Sequence, residues 1–122
     1  MECDVIVRAA KLFNAKRYFE CHDVLEDAWA GERGLERHLL RALVQLAVGM
    51  YHVSCENHQG AVNLLERALE GIERYSRELC GVKILVTTEA VERCLTKSRQ
   101  ALVGESIEWG VDDLPVITVE QG

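Results

Sequence analysis

The sequence predicts an all-α fold: a compact bundle of about five helices built from helical hairpins, with an extended C-terminal tail. Three observations carry this. The only proline in 122 residues is Pro115, so nothing before the tail forbids helix. Apolar residues recur at i, i+3, i+4 and i+7 along most of the chain ahead of it. Strand-forming composition gathers chiefly at Val116-Ile117-Thr118-Val119, after two glycines and Asp112-Asp113.

The elements follow in order. Asp4 is placed to cap a first helix whose Ile6, Ala9, Ala10 and Phe13 share a face and which ends near Asn14-Ala15. A second helix runs from Arg17 to Ala30 and stops at Gly31. After a turn bracketed by Gly31 and Gly34, Leu35 to Glu56 reads as one long helix that is apolar almost all round, hence central and buried. Asn57 caps the next, whose Ala61, Leu64, Leu65, Ala68, Leu69 and Ile72 face inward, and Gly81 breaks it. A short β-branched stretch, Val82 to Thr87, precedes a last helix from Thr88-Glu89 carrying Val91, Cys94, Leu95 and Leu102 inward. Residues 1–104 are therefore read as a helical bundle domain and 105–122 as an extended tail docked on it.

An internal echo supports the hairpins. Ala9, Leu12, Tyr18, Cys21, Leu25 and Ala28 correspond in spacing to Gly49, His52, His58, Ala61, Leu65 and Ala68. The packing resembles a tetratricopeptide helix pair, although the offset is about forty residues against a usual period of about 34.

Bulk composition narrows the function classes. Fourteen basic against twenty acidic residues give a net charge of -6, which opposes nucleic-acid phosphates and anionic lipid as partners but leaves room for a local basic patch. Short apolar runs and an N-terminus without a basic-then-apolar order argue against membrane insertion and secretion. Five widely spaced cysteines without a C-x-x-C suggest reduced thiols in the cytoplasm rather than a disulfide framework.

The candidate site lies on the second helix. With His22 as zero and about 100° per residue, Tyr18, Phe19, Leu25 and Trp29 define an apolar face. His22 and Glu26, one turn apart, sit in its middle, while Glu20, Asp23 and Asp27 fall outward. A carboxylate and imidazole in an apolar setting need partners, because leaving either unsatisfied costs about 1 to 3 kcal/mol. The long helix offers them in one stripe: His38, Arg41, Gln45, His52 and Glu56. If that stripe faces the second helix, His22, Glu26, Gln45 and His52 close a polar network with Asn57 near its end. If it is only a solvent-facing strip, His52 and Gln45 never meet His22.

Three chemistries fit such a network: a purely structural packing device, a pocket orienting a small molecule or peptide between helices, and a divalent metal held by His22, Glu26 and His52. The E-x-x-H spacing used twice by helical di-iron sites is absent.

The run Phe13-Asn14-Ala15-Lys16-Arg17-Tyr18-Phe19-Glu20-Cys21-His22-Asp23-Val24-Leu25-Glu26-Asp27-Ala28-Trp29 resembles the leading motif of a family of small helical proteins known as domain of unknown function 309. Leu43-Val44-Gln45-Leu46-Ala47, then His52, Asn57, Gly60-Ala61, Leu64-Leu65 and Ala68-Leu69 resemble its second motif. The resemblance implies an all-helical domain and points to Glu20, His22, Asp23, Glu26, Trp29, Gln45, His52 and Asn57, with no activity attached. Two departures stand out: Ala15-Lys16 where a family glycine is expected, and Asp23 where glutamate is usual.

Only a metal–water enzyme can be sketched, with His22 and His52 holding the ion and Glu26 as base; hydrolase, P-loop and dinucleotide signatures are absent. Cys21 and Cys55 stand near histidines, but adjacent residues on a helix diverge by about 100°, which disposes Cys21-His22 poorly for a thiolate nucleophile. The sequence therefore favours a module that binds a small molecule or a protein partner, with a homo-oligomer one form of such a partner, over an enzyme.

Overall fold

A computed structural model describes residues 2–75, 77–110 and 113–121. Its elements are α1 (Cys3–Asn14), α2 (Tyr18–Gly31), α3 (Glu36–Ser54), α4 (His58–Arg74), β1 (Glu78–Leu79), β2 (Val82–Val86), α5 (Thr88–Leu102) and β3 (Ile117–Gln121). Five helices dominate, as expected. α3 packs against both α2 and α4, with α1 outside α2 and α5 outside α4. Its central place explains its nearly continuous apolar surface: Leu39, Leu40, Ala42, Leu43, Leu46, Ala47, Gly49 and Met50 are all buried.

The hairpin echo is structural. α1 and α2 are joined through Lys16, and α3 and α4 through Glu56, both with left-handed backbone (φ 64° and 59°). The turns share their hydrogen bonds: the Lys16 and Arg17 N–H groups donate to Phe13 and Leu12 carbonyls, as those of Glu56 and Asn57 donate to Val53 and His52. A left-handed residue closing a helix satisfies its last carbonyls, and glycine does so without the Cβ penalty. Lys16 thus occupies a conformation suited to the glycine whose absence marks this sequence.

Asn57 caps α4 by accepting the Gly60 N–H at 3.2 Å. Asp4 does not cap α1. Glu2 is the N-cap residue, without a side-chain bond, and Asp4 lies in the first turn, where its charge complements the helix dipole. α4 stops at Arg74 rather than near Gly81, because Tyr75 turns extended (ψ 158°) and stacks on the His38 ring at 4.7 Å. Leu102, expected inward, is the last residue of α5 and is exposed.

Beyond the helices lies a small antiparallel sheet of order β1-β2-β3. Ile117–Gln121 is extended, as composition suggested, and this β3 pairs with β2 from Ile117 opposite Val86 to Gln121 opposite Val82. Two anchors hold it. The Asn14 amide donates to the Ile117 carbonyl and accepts the Ile117 N–H, both at 2.8 Å, and Thr87 Oγ1 accepts the Val116 N–H at 2.8 Å. Upstream, Lys97 bridges the Asp113 carboxylate and the Glu108 carbonyl, each at 2.5 Å. This ammonium, helped by the Gly110 N–H, holds the Asp113 carboxyl below its usual range. Among the described residues no helix is long and apolar enough to cross a membrane.

Candidate functional site

α2 is rotated relative to the expectation from its periodicity. Its buried residues are Tyr18, Cys21 and Leu25, one side of the stripe read from sequence, so that Phe19 stands 55% exposed and the Glu26 side chain 52% exposed. Cys21 caused the difference: as a small buried residue it draws the face by about 60° away from His22. His22 sits at the edge of the interface, with its side chain 23% exposed. Its Nε2 meets Glu26 Oε2 at 2.5 Å and its Nδ1 lies 3.3 Å from Asp23 Oδ1. The i,i+4 pair forms as spacing predicts, but at the surface, where it needs no further partner from α3. Glu20, also exposed, pairs with Arg17 at 2.6 Å.

The polar stripe of α3 does not close a network with that pair. Gln45 lines a groove with α4, together with His38 and Arg41. At the far end, His52 Nδ1 accepts from the Asn57 side-chain amide at 3.1 Å. Gly60 permits this, since a Cβ there would lie 2.9 Å from the His52 ring. What lies between His22 and His52 is aromatic: Phe19 contacts His22 (5.8 Å between ring centroids) and Tyr51 (5.4 Å), and Tyr51 contacts His52 (6.3 Å). The proposed ligand set of His22, Glu26 and His52 is thus not assembled, and among the described residues no three His, Cys, Asp or Glu side chains are placed to hold a metal ion. Trp29 is half-buried under the Arg37 guanidinium, 4.0 Å from its ring centroid, and its Nε1 is buried without a hydrogen-bond partner.

A feature that periodicity could not reveal adjoins this surface. Tyr18, Met50, Val53, Trp109 and Leu114 line a largely apolar cavity of about 310 Å³, with Lys16, Ser54 and Glu56 also on its lining. Tyr18 is 5% exposed, packs edge-on against Phe13 at 5.2 Å, and its hydroxyl is buried with no partner among the described residues. Burial, followed by the nearby Cys94 and Cys21 thiols, pushes its pKa up to about 12. Burial likewise raises Cys21 to about 12 and Cys94 to about 11. Cys21 is therefore protonated at neutral pH and unfit as a nucleophile. Lys16, Tyr18 and Ser54 also line a smaller cavity of about 180 Å³, together with Phe19 and Tyr51. The sequence signal that was available is Tyr18 itself, a motif residue that carries a polar hydroxyl into an otherwise apolar face.

Two comparisons bear on this arrangement. Residues 6–64 match the profile of a family described as a domain of unknown function (DUF309), and so take in most of α1, all of α2 and α3, and the first part of α4. The chain is also similar to the uncharacterized protein YpuF of Bacillus subtilis (strain 168), 34% identical over 67 residues. That similarity covers 53% of this chain and 38% of the relative, so the chain spans well under half of the relative's length.

Proposed function

We propose that this chain, whose residues 6–64 match the DUF309 family profile, is a binding module whose apolar cavity takes a small, mostly apolar molecule bearing one hydrogen-bonding group. The observation that carries this reading is the Tyr18 hydroxyl. A buried hydroxyl without a partner costs about 1 to 3 kcal/mol, and a fold retains that cost where a ligand group repays it. The cavity volume of about 310 Å³ fits a compact ligand at the lower end of the usual range. Met50, Val53, Trp109 and Leu114 give the cavity its apolar lining, so in this reading the walls supply affinity and a hydrogen bond to Tyr18 orients the ligand.

His22, Asp23, Glu26 and Glu20 form a polar rim beside Phe19 in this reading, rather than a catalytic centre. The five free thiols, two of them buried and protonated, support residence in a reducing cytoplasm.

The test uses the neutral dye N-phenyl-1-naphthylamine, whose N–H can donate to Tyr18. Saturable one-to-one fluorescence enhancement is expected, with loss in Val53→Phe, which fills the cavity while keeping the fold. Absence of saturable binding, or equal binding by the Val53→Phe variant, would overturn the assignment.

A further inference from the structure

The groove between α3 and α4 that Gln45 lines differs chemically from the apolar cavity. Its floor is made by close approach of the helices. A Cβ on Gly71 would lie 2.7 Å from the Ala42 Cβ, so the two smallest residues meet and leave open space above them, a cavity of about 210 Å³. Around it stand Arg41 from α3 and Arg67 and Arg74 from α4. Residues 67, 71 and 74 share one face of α4, which is why Arg67 and Arg74 line the same cavity as Gly71.

The charge count is unusual for this chain. Overall it carries -6, yet here three guanidinium groups face a single carboxylate, Glu70. Glu70 reaches only Arg74, loosely, at 3.8 Å, while Arg41 and Arg67 have no ion-pair partner among the described residues. Like charges gathered around one cavity repel each other unless an anion enters. His38, held in place by stacking on Tyr75 at 4.7 Å and 13°, and the Gln45 amide complete the wall.

We propose that this groove binds a small phosphate monoester, with the phosphoryl group between Arg41, Arg67 and Arg74. A phosphoryl dianion offers three acceptor oxygens and a charge that matches the local excess of two positive charges, which a single carboxylate does not. Guanidinium forks are suited to those oxygens. A neighbouring cavity of about 470 Å³ shares His38, Arg74 and Tyr75 and is completed by Leu35 and by Glu36 and Glu78, giving the uncharged organic part of the ester, rather than a second anionic group, a place to lie. A nucleic-acid strand is disfavoured, because a chain of net charge -6 repels the phosphates that extend beyond one cavity.

The experiment is a calorimetric titration of the full chain with phenyl phosphate, benzoate and a single-stranded RNA oligonucleotide at constant ionic strength. Phenyl phosphate is expected to bind at one site, about tenfold or more weaker in Arg41→Gln/Arg67→Gln and tighter in Glu70→Gln, with helicity unchanged. No saturable phenyl phosphate binding, equal affinity in the double variant, benzoate binding as tightly, or the oligonucleotide binding more tightly would each overturn the proposal. Because the site lies apart from Tyr18, the Val53→Phe variant retains phenyl phosphate binding, so failure here and failure of the apolar-cavity reading are separable.

Discussion

Replacing Tyr18 by phenylalanine removes one oxygen atom and leaves the ring against Phe13. Because that hydroxyl is buried without a partner, deleting it returns its desolvation cost, about 1 to 3 kcal/mol. Against this stand the few dispersion contacts of a single atom, about 0.1 to 0.2 kcal/mol each. The net expectation is a gain of about 1 kcal/mol, or a rise in Tm of about 3 to 6 °C for a domain of this size. Urea unfolding followed by circular dichroism measures it, with the slope m unchanged. The same substitution weakens binding of N-phenyl-1-naphthylamine, so stability and affinity move in opposite directions, as expected where a strained feature serves function. A Tyr18→Phe protein less stable than the parent by more than about 0.5 kcal/mol would refute the reasoning, since it would mean the hydroxyl has a satisfying partner in the ligand-free fold.

Four further outcomes are expected. Asn14→Ala breaks two 2.8 Å bonds to Ile117 and is expected to cost about 1 to 3 kcal/mol, with faster amide exchange concentrated in β3. Lys16→Gly relieves a left-handed lysine and is expected to stabilise by about 0.5 to 1 kcal/mol, read from the urea midpoint; a loss would show that the Lys16 side chain contributes more than its backbone strain costs. His22→Ala, at a partly exposed pair, is expected to cost less than about 1 kcal/mol, and a cost of several kcal/mol would restore the buried-network reading. Finally, Tyr18, Cys21 and Cys94 have folded pKa values raised above their ordinary values of 10.0, 9.0 and 9.0. The unfolded chain therefore loses protons first, and stability that is intact below pH 9 falls as pH rises from about 9 to about 12. A urea midpoint that stays flat across that window would contradict the burial of these groups.

Much of the architecture was legible because it is local. Helix periodicity, one proline, the Asn57 cap and the forty-residue echo depend on residues within a few turns of each other, and they located five helices to within a few residues except at the end of α4. The His22–Glu26 contact was legible for the same reason, since i,i+4 residues meet wherever the helix points. Periodicity fixes the angle between two side chains on one helix, but not the rotation of that helix against its neighbours. That rotation is settled by which small residues allow close approach, and Cys21, Ala42, Gly60 and Gly71 settled it here. Hence Glu26 and Phe19 turned outward, Gln45 went to the α4 groove, and His52 went to Asn57. Likewise, only the folded chain could bring Trp109 and Leu114 over Tyr18 or lay β3 beside β2, because those partners are distant in sequence and carry no periodic signal. What the sequence determined by itself was the helices and their local pairs; the tertiary structure decided which faces meet and where the cavities lie, because burial is a property of the assembled surfaces.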